Sequence, residues 1–172
     1  MSKRIKCTLS SESIQNAIKQ LEAYQNRLQD KNEIFVQRLA ELGIPIIDEN
    51  IALAQGDSDK SHNTYIKINR FGNYAQATLV CEGTDLSFIE FGAGISYNTP
   101  AGTSPHPKGE EFGYTIGSYG QGKGKNESWV YVADSGEWVR SYGTEATMPV
   151  YKVSVEIMQN IRRIAKEVFS MQ

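Results

Sequence analysis

Apolar residues recur every seventh position through the first part of the chain, at Ile14, Leu21, Leu28, Phe35 and Leu42, with Ala17, Ile18, Tyr24 and Leu39 in the turns between. Lys, Glu, Gln and Arg fill most of the rest, so the pattern predicts one long amphipathic helix from about Ser11 to Leu42. Ser10 or Ser11 can cap its start. Gly43 and Pro45 are expected to end it, because Gly suits the left-handed position after a helix and the residue before Pro is pushed out of helical geometry. At about 1.5 Å per residue such a rod is roughly 45 Å long, more than one side of a domain this size needs, so part of it is expected to pack outside its own core. The polar run Asp30-Lys31-Asn32 interrupts the stripe and marks a bend, or a division into two helices. A second helix is expected from Pro45 to Gln55, with Ile47, Ile51 and Ala54 on one face.

The period then changes from that of a helix to that of a strand. Thr64 to Asn69 places Ile66 and Ile68 on one face. Tyr74 to Cys81 alternates Ala75, Ala77, Leu79 and Cys81 against Tyr74, Gln76 and Thr78, and Arg70 to Asn73 joins the two as a hairpin. Trp129-Val-Tyr-Val132 and Glu137-Trp-Val-Arg140 flank Asp134-Ser-Gly136 as a second hairpin. Between the hairpins, 95–127 holds three of the five prolines and seven of the fifteen glycines. Structureless connections of that length are usually functional or disordered. A mobile arm that orders only on docking to a neighbour is the functional expectation, and a tolerated insertion the plain one.

A closing helix is expected from Pro149 to Phe169. Val150, Val153, Ile157, Ile161, Ile164 and Val168 form one stripe, and Tyr151, Val155, Met158, Ala165 and Phe169 form a second beside it. The two together are wider than the stripe of about 100° that one-sided packing requires. Ile157, Ile161 and Ile164 are expected in the subunit core, with Met158 and Phe169 at a subunit boundary. The fold expected is a single α+β domain over 1–172, a mainly antiparallel four-stranded sheet packed by the first and last helices, with a long Gly/Pro-rich loop.

One stretch departs from these periods. In Phe88-Ile-Glu-Phe-Gly-Ala-Gly94 a lone acid sits among large apolar residues and two glycines follow, which reads as a hinge between a packed core and the projecting loop. The plain reading puts Glu90 on the wet side of a strand or short helix. A chain of 172 residues that is 40% apolar and 22% charged suits a globular domain, and a formal net charge of −2 supplies no field to draw it onto nucleic acid or an anionic membrane. The basic start Met-Ser-Lys-Arg-Ile-Lys-Cys has no apolar run behind it, and no segment has the length to cross a bilayer. Cys7 and Cys81 are expected as ordinary reduced thiols.

Candidate chemistry is sparse. Gly117 to Lys123 has the spacing of a phosphate-cradling loop, but Gly124 stands where a Ser or Thr would ligate magnesium. His62 and His106 are the only histidines, too few for a zinc site of several imidazoles. Cys81 with His106 is a formal nucleophile and base, although Cys81 belongs to the apolar face of a strand. Glu90 with Glu110 or Glu111 is a formal acid and base pair for glycoside cleavage, with solvated loop acids as the plain alternative. Lys108, Lys123 and Lys125, interleaved with Phe112, Tyr114 and Tyr119, make only a weak patch for nucleic acid. No catalytic, cofactor or metal site is expected.

The ordered set formed by Phe88 to Gly94, then His106-Pro107, Trp129-Val130-Tyr131, Gly143 to Ala146, and Met148-Pro149 opening a terminal helix that ends in Ile164 to Phe169, resembles the small neck proteins of long-tailed bacteriophages and prophages. These are the tail-completion or head-tail joining proteins. The likeness covers most of the chain, though Ala93 stands where that family often has Thr, and no Arg precedes Pro149. The resemblance implies a non-enzymatic virion assembly protein, acting in the host cytoplasm and then retained in the neck of the virion. It would form a homo-oligomeric ring of six between the head connector and the tail terminator or tail-tube proteins, with DNA passing through without sequence-specific binding and no membrane partner. Candidate interface residues are Tyr151, Met158, Phe169, Glu90, His106, Phe112, Tyr114 and Tyr119. The alternative from another class is a small phage-encoded hydrolase using Glu90 and Glu110, and behind it a general protein-interaction module.

Overall fold

The computed structural model describes residues 4–94, 96–97, 104–114, 127–133 and 135–170. The chain opens with α1 (Ser11–Glu41), whose start is capped by the Ser10 hydroxyl accepting from the Ser13 N–H. It runs through Asp30-Lys31-Asn32 without a break, and the bend comes instead at Leu42, which leads directly into α2 (Gly43–Leu53). Gly43 therefore begins a helix rather than ending one. Its role is close approach, since a Cβ there would lie 2.3 Å from Leu79 Cδ2 and 2.9 Å from Val153 Cγ1. Pro45 is tolerated because it falls in the first turn, where its missing N–H has no helical acceptor to lose.

The strands β1 (Asn63–Phe71) and β2 (Tyr74–Glu82) pair antiparallel, from Phe71 with Tyr74 at the turn out to Asn63 with Glu82. After α3 (Leu86–Phe91), β3 (Trp129–Val132) pairs antiparallel with β4 (Trp138–Ser141), and α4 (Pro149–Ser170) closes the chain. The α+β class holds, but the four-stranded sheet does not: the strands form two separate two-stranded sheets. Each hairpin satisfies its own pairing locally, the first is packed against α1, and α3 stands between the two hairpins in the chain. The second hairpin stays largely solvated, with Val130, Tyr131, Val132 and Trp138 all exposed.

Two apolar clusters meet along α4. Ile47, Ile51 and Ala54 of α2, the face anticipated from sequence, pack with Ile89 and Val153. Leu39 of α1 packs with Ile164 and Val168. Ile157 touches both clusters. Ile161 falls between them and is 43% exposed, which corrects its expected place in the core. Ile161→Asp should accordingly leave the fold intact, at a cost of about 1 kcal/mol or less in denaturant unfolding, the range of surface changes. A loss of several kcal/mol would show that the side chain is buried after all.

The lower end of α1 is held by the Phe35 and Phe169 rings, whose centroids are 5.8 Å apart. Its middle meets the tip of the first hairpin, where Arg70 reaches Asp30 at 3.0 Å and Glu33 at 3.6 Å. N-terminal to that point the helix has left the core. Ile14, Ile18, Leu21, Tyr24 and Leu28 of its apolar stripe are all exposed.

Candidate functional site: a buried carboxylate at the start of the last helix

The site begins with a missing local cap. Met148 occupies the position before Pro149, its carbonyl accepts from the Lys152 N–H at 3.0 Å, and it is the non-glycine residue with positive φ (55°) among the described residues. A Met side chain has no acceptor oxygen with which to cap a helix. The hydroxyl of the preceding Thr147 is directed to α2, where it donates to the Asn50 carbonyl at 2.8 Å. Pro149 carries no N–H, so the orphan donors of the first turn are those of Val150 and Tyr151.

Both are taken by Glu90. Its Oε2 accepts from the Val150 N–H at 2.7 Å and its Oε1 from the Tyr151 N–H at 2.9 Å. An anion at this end of α4 is also favoured by the helix dipole. The expectation that Glu90 lies on a wet face is thus overturned, since it is 7% exposed. The reason is that α3 is a single short helix directed into the end of α4, and burying a carboxylate is tolerable only when donors surround it.

A third donor comes from the long connection. His106 Nε2 lies 3.0 Å from Glu90 Oε1, while its Nδ1 accepts from the Lys108 N–H at 3.0 Å. An Nδ1 that accepts carries no proton, so these partners assign the Nε2–H tautomer, donating to the carboxylate. The other histidine has the opposite surroundings. His62 Nδ1 faces the Lys60 carbonyl at 2.8 Å and Nε2 faces Asp48 Oδ1 at 3.0 Å, both acceptors. The Lys60 carbonyl first, and Asp48 after it, hold the His62 pKa above the ordinary histidine value against the opposing pull of desolvation.

Around the polar pair is an aromatic wall. Phe91 stacks on Tyr114 with centroids 4.0 Å apart and planes 9° from parallel, and meets His106 at 4.6 Å and Phe112 at 5.7 Å. Tyr151 presents an edge to His106 at 5.3 Å. Ser104 Oγ donates to the Phe91 carbonyl at 2.6 Å. Residues 104–114 therefore form a strap over the junction of α3 and α4.

The Gly box ends α3 and ties down the chain that follows it. Gly92 caps α3 by donating to the Phe88 carbonyl at 2.7 Å with φ of 79°, a conformation disfavoured for residues with a Cβ. Ala93 then exchanges two hydrogen bonds of 2.9 Å with Thr144. Gly143 crosses so close beneath that a Cβ on it would lie 2.2 Å from the Ala93 carbonyl oxygen. Trp129 packs against Gly94, leaving no room for a side chain there either.

The candidate interface residues thus divide. Glu90, His106, Tyr114 and Tyr151 belong to one assembly of contacts, and Phe112 sits at its exposed margin. Met158 and Phe169 lie further along α4, 65% and 40% exposed. Tyr119, the phosphate-loop-like run, Lys123 and Lys125 lie outside the described residues. Glu90 has both oxygens committed, while Glu110 and Glu111 are exposed on the strap, Glu111 beside Lys108 at 3.9 Å. Cys81 packs against the first apolar cluster and receives a hydrogen bond from the Thr64 hydroxyl. Phe91, Ser104 and the Lys108 backbone are members of the site that sequence reasoning missed. The available signal was the uncapped start of α4, which demanded an acceptor from elsewhere.

A second concavity, a cleft of about 270 Å³, is lined by Asp57, Ser58, Asp85, Trp129 and Tyr131 among others. Its two carboxylates already serve the backbone, Asp57 accepting from the Tyr142 N–H and Asp85 from the Asp59 N–H. Among the described residues no group of three or more His, Cys, Asp and Glu is placed to hold a metal ion, and no helix is long and apolar enough to cross a membrane. No family model, no curated protein and no solved structure matches the chain.

Proposed function

We propose that this chain is a structural subunit of the neck of a long-tailed phage or prophage particle, joining the head connector to the tail as one copy in a homo-oligomeric ring. The observation that carries the proposal is the α1 arm, a helix extended well past its own core with an apolar stripe from Ile14 to Leu28 left in solvent. Apolar surface of this kind on a single chain is a liability unless another surface covers it. A ring subunit has such surfaces on both flanks, because a heterologous contact places different faces of each copy against its neighbours. The exposed Met158 offers a second apolar position on α4.

The motifs that carry the family resemblance add support, because residues far apart in sequence meet at one place: Glu90 with His106 and Tyr151, Ala93 with Thr144, and Gly94 with Trp129. This is a construction for holding surfaces in fixed relation, and Glu90 within it acts as a cap rather than as a reagent.

The test is particle mass in solution, alone and after mixing with a connector or tail-tube protein. The wild-type chain is expected to form rings in at least one of these conditions. Ile18→Asp with Leu21→Asp should weaken ring formation at least about tenfold, as loss of central apolar contacts does, without changing the unfolding midpoint. A wild-type chain that stays monomeric with every partner, or a doubly changed arm that assembles as well as wild type, would sink the proposal.

A further inference from the structure

The contacts around Glu90 join the strap 104–114 to the start of α4. We infer that the strap 104–114 is a latch-held unit that opens as one body while the rest of the fold stays closed, and that its opening uncaps α4, with Glu90 as the positioning residue that couples the two events.

The strap's internal hydrogen bonds are local. Gly109 donates to the His106 carbonyl, Phe112 to Lys108, Gly113 to Glu110 and Tyr114 to Gly109. Among the described residues its attachments to the body include the His106 imidazole on Glu90, Phe91 and Tyr151, the Ser104 hydroxyl on the Phe91 carbonyl, and the rings of Tyr114 and Phe112 on Phe91. These meet at the end of α3 and the first turn of α4. Units with few buried apolar contacts and mostly local hydrogen bonds open well below the global unfolding free energy. The two apolar clusters contain no strap residue, so the core survives the opening.

Coupling follows from shared atoms. Glu90 Oε1 accepts simultaneously from His106 and from the Tyr151 N–H, and the Tyr151 ring edge rests on the imidazole. When the strap lifts, Oε1 loses the donor that fixes the carboxylate rotamer, and Tyr151 loses the ring that covers it. Water then competes for the Val150 and Tyr151 N–H groups. A partner that captures the strap would thereby alter the start of α4 through a two-state element, which is the physical requirement for coupling between separate surfaces.

Amide hydrogen exchange on the full chain decides this. In His106→Ala the strap amides and those of Val150 and Tyr151 should exchange about tenfold faster together, the effect expected for loss of one buried hydrogen bond to a charged group. The amides of Lys67 and Thr78, a hydrogen-bonded pair of the first hairpin, should not change. His106→Gln, whose amide can still donate to Glu90, should restore most of the protection. Faster exchange in the strap with Val150 and Tyr151 unchanged overturns the coupling, and equal acceleration at Lys67 and Thr78 overturns the independence of the strap. Should His106→Ala fail to fold, wild-type exchange under mild denaturant separates the same alternatives. The strap and the first turn of α4 must then share one opening free energy below that of the hairpin, and separate values overturn the inference.

Discussion

Glu90→Ala is expected to destabilise the fold by about 3–5 kcal/mol, the range found when one side of a buried, charge-assisted set of hydrogen bonds is removed. Three donors lose their acceptor at once: the N–H groups of Val150 and Tyr151 and the Nε2–H of His106. At the helix end Met148 has no side-chain oxygen to replace it, and the Thr147 hydroxyl is directed to Asn50 in α2. For a chain of this length each kcal/mol moves the thermal midpoint by roughly 2–4 °C, so the midpoint should fall by about 6–20 °C. Glu90→Gln keeps one acceptor oxygen but turns an amide donor toward a donor, and should cost roughly half as much. Chemical denaturation with unchanged m-value is the measurement, and a loss under about 1 kcal/mol for the alanine variant would mean that the carboxylate does not hold the helix.

Gly143→Ala is expected to cost at least about 3 kcal/mol, from a conformational and a steric cause that add. Gly143 has φ of 104°, outside the range that residues with a Cβ adopt readily. The added methyl would sit 2.2 Å from the Ala93 carbonyl oxygen, and that atom is backbone, so no rotamer change can relieve it. Relief requires moving Ala93 away from Thr144, which breaks the paired 2.9 Å hydrogen bonds tying the Gly box to the approach to α4. Gly136→Ala, at φ of 83° with open space around it, carries only the conformational cause and serves as the control. Equal losses in the two variants would remove the steric half of the explanation.

The elements whose signal is periodic were legible in the sequence, and those whose signal is relational were not. The stripes of α1 and α4 and the alternation of β1 and β2 each lie within one segment, so helix and strand could be read directly. Whether β2 pairs with β3 depends on where α3 sends the chain, and no residue of either strand encodes that. The site divides in the same way. The end of the short helix at Gly92 was visible because glycine after a large apolar run has a local meaning. The burial of Glu90 was not visible, because its donors come from 60 and 61 residues further on. What pointed to it indirectly was a deficit, a helix opening Met-Pro-Val without a capping side chain. Ile161 failed for a quantitative reason, since a stripe predicts a face but not how far round the helix its partners reach, and Ile164 and Val168 beyond it are buried.

The distant cap also has a consequence for the order in which the molecule is made. Closing a loop of the 60 residues between Glu90 and Val150 costs about 4 kcal/mol of chain entropy, and the reward arrives only when both ends are in place. A ribosome delivers Glu90 early and the start of α4 late, so the carboxylate must wait, hydrated, while the intervening strap and second hairpin emerge. The last helix can therefore complete its first turn only after the interior of the chain is assembled. Completion of α4, and with it any surface that α4 presents, becomes a record that the core has closed.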